Sequence, residues 1–220
     1  MIKFVIMLAD IKKALLSGIM ISVGGAVYLS CIAKGYTWLG AILFAAGLYT
    51  ICEYGFNLYT GKVGYIAFRF TDFSYVRLVL LVLICNLLTT FLLGILLRNV
   101  FPLIKQEAEK IYAAKLTVPY WKSFVSGIFC GLLMFLSVDT WKRGSKIGCF
   151  IYIPVFILCG FDHSIANSLY NGIALGEHTF TVQNLLFVLT VIAGNAAGGM
   201  TVPLLTRGNQ NETQVSAPKQ

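Results

Sequence analysis

The chain has 220 residues, of which 58% are hydrophobic and 12% charged, with a formal net charge of +8 and a mean hydropathy of +0.80. Soluble domains carry about 25% charged residues, so this balance excludes one and identifies an all-α integral membrane protein. The positive charge calls for no nucleic-acid partner, because lysine and arginine flanking membrane spans account for it.

The first eight residues are apolar, but Asp10, Lys12 and Lys13 follow before the hydrophobic core of a signal could form. An interfacial helix is expected there rather than a cleaved leader. A span needs about 20 apolar residues, and suitable runs lie at 14–33, 39–54, 76–97, 124–141, 147–175 and 185–205. These six transmembrane helices make one membrane domain over 1–207. The polar stretch 208–220 is expected to be a disordered cytoplasmic tail. Eleven of the 17 lysines and arginines fall on the side of the termini, which predicts that both termini are cytoplasmic.

The six cysteines, Cys31, Cys52, Cys85, Cys130, Cys149 and Cys159, show no CxxC or Cys/His spacing. They read as small apolar fillers, with no metal and no cofactor expected. Two apolar runs are interrupted. Gly55, Asn57, Gly61 and Gly64 break the second, and Gly160, Asn167, Asn171 and Gly172 break the fifth. Irregular backbone at that depth requires burial in protein or a cavity to line. The fifth run also holds Asp162 and His163, and ionisable groups inside a membrane mark ion or proton pathways. Histidine can change charge near neutral pH, which suits a group that meets an anion or passes a proton.

The interruptions belong to a repeat. Ser17-Gly18-Ile19 opens the first span and Ser126-Gly127-Ile128 the fourth; Asn86 follows Gly18, and Asn195 follows Gly127, by the same 68 residues. Gly55-Phe56-Asn57 and Gly160-Phe161-Asp162 are the matching middle elements, offset by 105 residues. Two three-span units, about 14–97 and 121–205, must insert with opposite orientation. That inverted 3+3 plan places a site near the midplane at interrupted helices.

Four segments together resemble the formate/nitrite transporter family. They are Gly47-Leu48 with the loop from Gly55 through Leu58, Tyr59 and Thr60 to Gly61; Lys115 ahead of Ser126-Gly127-Ile128-Phe129-Cys130; the octapeptide Gly160-Phe161-Asp162-His163-Ser164-Ile165-Ala166-Asn167; and Gly194-Asn195 with Gly198-Gly199. The resemblance implies an aquaporin-like protomer in a homo-pentamer, each protomer with its own pore for a small monovalent anion. It places His163 at the pore centre beside Thr60, and Lys115 at the vestibule paired with Asp162. Asn167 and Asn195 would offer amide donors, and Phe44, Leu48, Leu58, Tyr59, Met134 and Phe156 would form the constrictions. Lys115 would attract the anion, and His163 would handle a proton or charge as it crosses.

The chain departs from the family's usual pattern in several places. Asp162 replaces a glutamate, which shortens its reach to Lys115. Gly131 replaces an asparagine, Tyr59 a phenylalanine and Met134 a smaller aliphatic residue, and Glu53 stands where an apolar residue is usual, either protonated at depth or at a subunit boundary paired with a base such as Lys62 or Arg69. Formate, nitrite, hydrosulfide, acetate and lactate all suit one lysine and one histidine. An aquaporin would need Asn-Pro-Ala pairs and a membrane protease an HExxH, and neither occurs. A non-conducting structural membrane subunit is the reading from a different class. The expected location is the plasma or inner membrane, with lipid as the surrounding partner.

Overall fold

A computed structural model describes residues 2–206. Over those residues the chain forms α1 (Ile2–Ala33), α2 (Thr37–Glu53), α3 (Tyr59–Lys62) running into a 3-10 turn at Val63–Phe68, α4 (Phe73–Val100), α5 (Pro102–Leu116) and α6 (Tyr120–Lys142). It continues through α7 (Ile147–Leu158), α8 (Ser164–Ile173), a 3-10 turn at Glu177–Phe180 and α9 (Val182–Thr206). No strand occurs among the described residues. The expected tail at 208–220 lies outside them, as do Arg207 and Lys219.

Four segments are long and apolar enough to cross a membrane: Val5–Ala33, Phe73–Val100, Tyr120–Lys142 and Val182–Thr206. The expected spans at 39–54 and 147–175 are instead built in pieces. Helix α2 has 17 residues and α7 only 12, so at 1.5 Å per residue α7 covers about 18 Å. The chain then breaks and resumes as α3 or α8. At the other end, the expected interfacial helix and first span are one continuous α1, because Asp10, Lys12 and Lys13 interrupt the hydropathy without interrupting the helix.

Helix α5 is the element that hydropathy alone does not reveal. Pro102 sits in its first turn, and Ile104, Ala108 and Tyr112, four residues apart, form its buried stripe. Lys110 pairs with Glu107 at 2.7 Å and Lys105 with Glu109 at 3.8 Å on its outer surface. The helix packs on α1 and α8 and carries Lys115 inward in its last turn.

Both breaks end in the same way. Phe56 N–H donates to Ile51 C=O at 2.9 Å beyond Gly55 at φ +63°, and Phe161 N–H donates to Phe156 C=O at 2.9 Å beyond Gly160 at φ +71°. Each is a helix stop that needs a residue in the left-handed region, which glycine reaches without strain.

The severed backbone must then be satisfied by side chains, because an unpaired amide in an apolar interior is costly. Asn86 accepts from Tyr59 N–H at 2.9 Å and donates to Asn57 C=O at 3.1 Å and Ala14 C=O at 2.8 Å. Asn195 accepts from Ser164 N–H at 2.9 Å and donates to Asp162 C=O at 2.8 Å and Gly127 C=O at 2.9 Å. Both asparagines are fully buried.

Helices α6 and α9 cross so closely that a Cβ on Gly131 would strike the Asn195 backbone, and one on Gly198 the Ile128 carbonyl. Small residues four apart on both helices permit that approach. Position 131 therefore has no room for an amide side chain here. Replacing Asn195 by alanine should leave an N–H and two carbonyls unpaired and destabilise the fold by about 2–4 kcal/mol. Thermal unfolding in detergent checks this, with Ser22→Ala, which removes only a bond to Gly18 C=O within the helix, expected to change little.

Candidate functional site

His163 is the residue immediately before α8, with φ −98° and ψ 113°. Its Nδ1 accepts the Ala166 N–H at 3.1 Å, so the side chain caps the helix. Since Nδ1 is an acceptor, the neutral ring carries its proton on Nε2, and Nε2–H donates to Thr60 Oγ1 at 3.0 Å. Thr60 lies in α3, beyond the other break. The two interruptions thus meet through one buried hydrogen bond, with His163 2% and Thr60 0% exposed.

Apolar groups enclose this pair. The Phe156 ring stacks on His163 with centroids 5.8 Å apart, and Phe44 meets Phe156 edge-on at 6.3 Å. Leu48, Leu58 and Met134 are buried nearly completely.

Asp162 anchors the polar side of the site. Its carboxylate accepts from Lys115 Nζ at 2.5 Å and from Asn167 Nδ2 at 3.0 Å, while its N–H donates to Ser126 Oγ at 2.8 Å. The shorter aspartate side chain therefore reaches Lys115. Side-chain exposures of 18% for Lys115 and 8% for Asp162 would make either charge expensive alone. Pairing and the additional amide offset that cost.

Two cavities share no lining residue, one lined by His163 and the other by Leu58 and Gly61, which bracket Thr60 in the chain. One, of about 120 Å³, is walled by His163, Lys115, Asn167, Phe44 and Phe156. The other, of about 160 Å³, is walled by Leu58, Gly61, Lys62, Trp141 and Lys142. Of the twelve residues expected to form the pathway and its constrictions, five line the first cavity and Leu58 lines the second, whereas Thr60, Asp162, Leu48, Tyr59, Met134 and Asn195 line neither. The Asn195 side chain is committed to backbone, and Tyr59 Oη donates to Ile192 C=O at 3.2 Å, which turns its hydroxyl toward α9.

Glu53 pairs with Lys146 at 2.9 Å, rather than with Lys62 or Arg69, and joins the end of α2 to the start of α7. That hydrogen bond raises the Lys146 pKa above its ordinary value. The sequence reading missed Tyr28, Tyr170, Lys62 and Lys142 as cavity walls. Tyr170 could have been found, because His163, Asn167 and Tyr170 follow the four-and-three spacing of one helix face.

Comparison with known proteins agrees with this architecture. The formate/nitrite transporter family model matches residues 7–207. A solved structure described as "Pentameric formate channel with formate bound" superposes with a TM-score of 0.78 at 21% identity, covering 94% of this chain and 98% of that one. An "FNT family ion channel" gives 0.78 at 18% identity, covering 92% and 90%. No curated protein sequence matches the chain. The Asp162 contacts generate a direct test: Asp162→Ala should strand Lys115 and release Asn167, destabilising the protein by about 3 kcal/mol. The thermal midpoint in detergent would fall, and Asp162→Glu, which keeps the charge, should recover most of the loss.

Proposed function

The chain belongs to the formate/nitrite transporter family, and we propose that it is a membrane channel passing small monovalent weak-acid anions through a pore in each protomer of a homo-pentamer. The observation that carries this reading is the His163–Thr60 hydrogen bond, which joins two broken helices, with His163 in the wall of one cavity and the neighbours of Thr60, Leu58 and Gly61, in the wall of another. The pentamer and the formate-class substrate follow by similarity to the solved pentameric formate channel that superposes on this chain. Formate and nitrite are the leading substrates, with hydrosulfide, acetate and lactate as alternatives of the same chemical class.

The matched stops at Gly55 and Gly160, and the matched bonds of Asn86 and Asn195, support an inverted repeat of three spans each. In that arrangement α2 with α3, and α7 with α8, are interrupted spans. The Lys115 cavity faces outward, the Lys62 and Lys142 cavity opens to the cytoplasm, and both termini are cytoplasmic in the cell membrane.

Lys115 attracts the anion to the vestibule and favours its charged form there. Asp162 holds the lysine and tempers its charge, so the anion is drawn in without being trapped. Further in, Phe44, Phe156, Leu48 and Leu58 surround a passage where a bare ion would lose its hydration shell, at a cost of several kcal/mol. The anion crosses most readily as its neutral acid, or beside a transient charge on His163. The His163–Thr60 hydrogen bond keeps a polar pair at the driest point. Nothing in this passage breaks a covalent bond, so the protein acts as a conduit rather than an enzyme.

Replacing His163 by phenylalanine should abolish formate and nitrite flux in proteoliposomes while mass photometry still reports a pentamer. Undiminished flux would remove His163 from the mechanism. Lys115→Met should instead raise the half-saturating anion concentration with a smaller change in the maximal rate.

A further inference from the structure

The cavity beside His163 contains two phenol groups that the channel mechanism leaves unused. Tyr28 of α1 and Tyr170 of α8 both line it, together with His163, Lys115 and Asn167. Tyr170 is 6% exposed and Tyr28 half-buried. A buried phenol hydroxyl normally finds a hydrogen-bond partner. The buried Tyr59 and Tyr112 and the half-buried Tyr65 and Tyr75 do so. Tyr28 and Tyr170 make no such bond among the described residues.

Their position follows from the backbone. Gly25 lacks the side chain that would strike Leu169, and a Cβ there would lie 3.6 Å from Tyr170 Cε1. The open surface of α1 thus admits the α8 side chains. Tyr28 stands one turn further along the same helix face as Gly25. On α8, Tyr170 stands one turn beyond Asn167 and two beyond His163. The phenols therefore flank the route that an anion takes from Lys115 to the Phe44 and Phe156 rings.

The other donors in this cavity are partly committed, and Lys115 keeps two N–H groups and Asn167 one. Lys115 and Asn167 each spend one N–H on Asp162, and the His163 Nε2–H is given to Thr60. We propose that the Tyr28 and Tyr170 hydroxyls form a binding station for an oxyanion, donating to the oxygens of a carboxylate or nitrite after it has left Lys115 and before it enters the constriction. The station selects oxygen-bearing monoanions over hydrosulfide, because sulfur accepts hydrogen bonds weakly. Neutral donors suit this position, since they replace part of the hydration shell without adding a charge that would hold the anion in place.

The inference rests on the channel reading and narrows its substrate class. It is tested with Tyr28→Phe, Tyr170→Phe and the double variant in proteoliposomes, each of which keeps the ring and its packing. Half-saturating concentrations are measured for formate, nitrite and hydrosulfide, after subtracting flux through protein-free vesicles. Loss of a hydrogen bond to a charged group predicts about a tenfold rise for formate and nitrite in Tyr170→Phe. The hydrosulfide value should move less than about twofold, since its weak acceptor loses little. Equal shifts for all three anions would assign the phenols to packing and overturn the proposal, as would unchanged formate and nitrite values. A wild-type protein that carries none of the three would instead overturn the channel reading. Thermal midpoints of the variants identify any loss of folding.

Discussion

Backbone amides inside an apolar interior must be hydrogen-bonded, and this structure breaks two helices there. Everything at the centre of the fold depends on how that demand is met. Each break severs a helix ladder and exposes N–H and C=O groups that lipid cannot satisfy. Asn86 and Asn195 meet it in parallel, each gripping an N–H and a carbonyl just beyond a helix stop and a second carbonyl on a neighbouring helix. An irregular backbone becomes a fixed one, and the side chains it presents, Thr60 and His163, meet in a single orientation. The close crossing of α6 and α9 belongs to the same system. The glycines at that crossing bring the Asn195 backbone against α6, where its amide can reach the Gly127 carbonyl.

The polar centre is surrounded by groups whose charges and donors are largely committed. Asp162 takes a lysine and an amide, and His163 caps one helix while bonding to the other break. This arrangement differs from an open charged pocket, where an anion would bind tightly and leave slowly. Conduction requires weak, successive contacts. On the proposed pathway, paired charge at Lys115, the Tyr28 and Tyr170 hydroxyls and the Phe44 and Phe156 rings would form a graded sequence of that kind. Helix α5 holds one end of the sequence, because it lies across α1 and α8 and delivers Lys115 from the side.

Residues with unusual chemistry for their setting were legible in the sequence. The octapeptide around His163, the two glycine interruptions and the paired asparagines each violate the apolar pattern, and each occupies a special position in the fold. Helix α5 was hidden because its signal is amphipathic periodicity, whereas the search for spans follows mean hydropathy. The division of the fifth apolar run was only half visible: Gly160 signals a stop, but its positive φ and the five-residue helix-closing bond appear only in three dimensions. Glu53 could not be assigned a partner, since Lys146 is 93 residues away and nothing local favours it over Lys62 or Arg69. Tyr59 was expected at a constriction by position, and the partner of its hydroxyl, the Ile192 carbonyl on α9, was not visible in the sequence. Side-chain direction at a broken helix is set by tertiary bonds that spacing does not encode.

Helix α8 starts beside His163, at the centre of the molecule, and runs for ten residues. A helix presents about half a positive charge at its N-terminus through aligned peptide dipoles. Two of the leading N–H groups of α8 are taken, by Asn195 and by the histidine itself, but the field of the dipoles extends past those bonds. Unlike a side chain, this macrodipole has no proton to lose. The centre of the protein thus keeps an electropositive bias that pH does not switch, and the charge state of any ring or anion there is superimposed on that constant background.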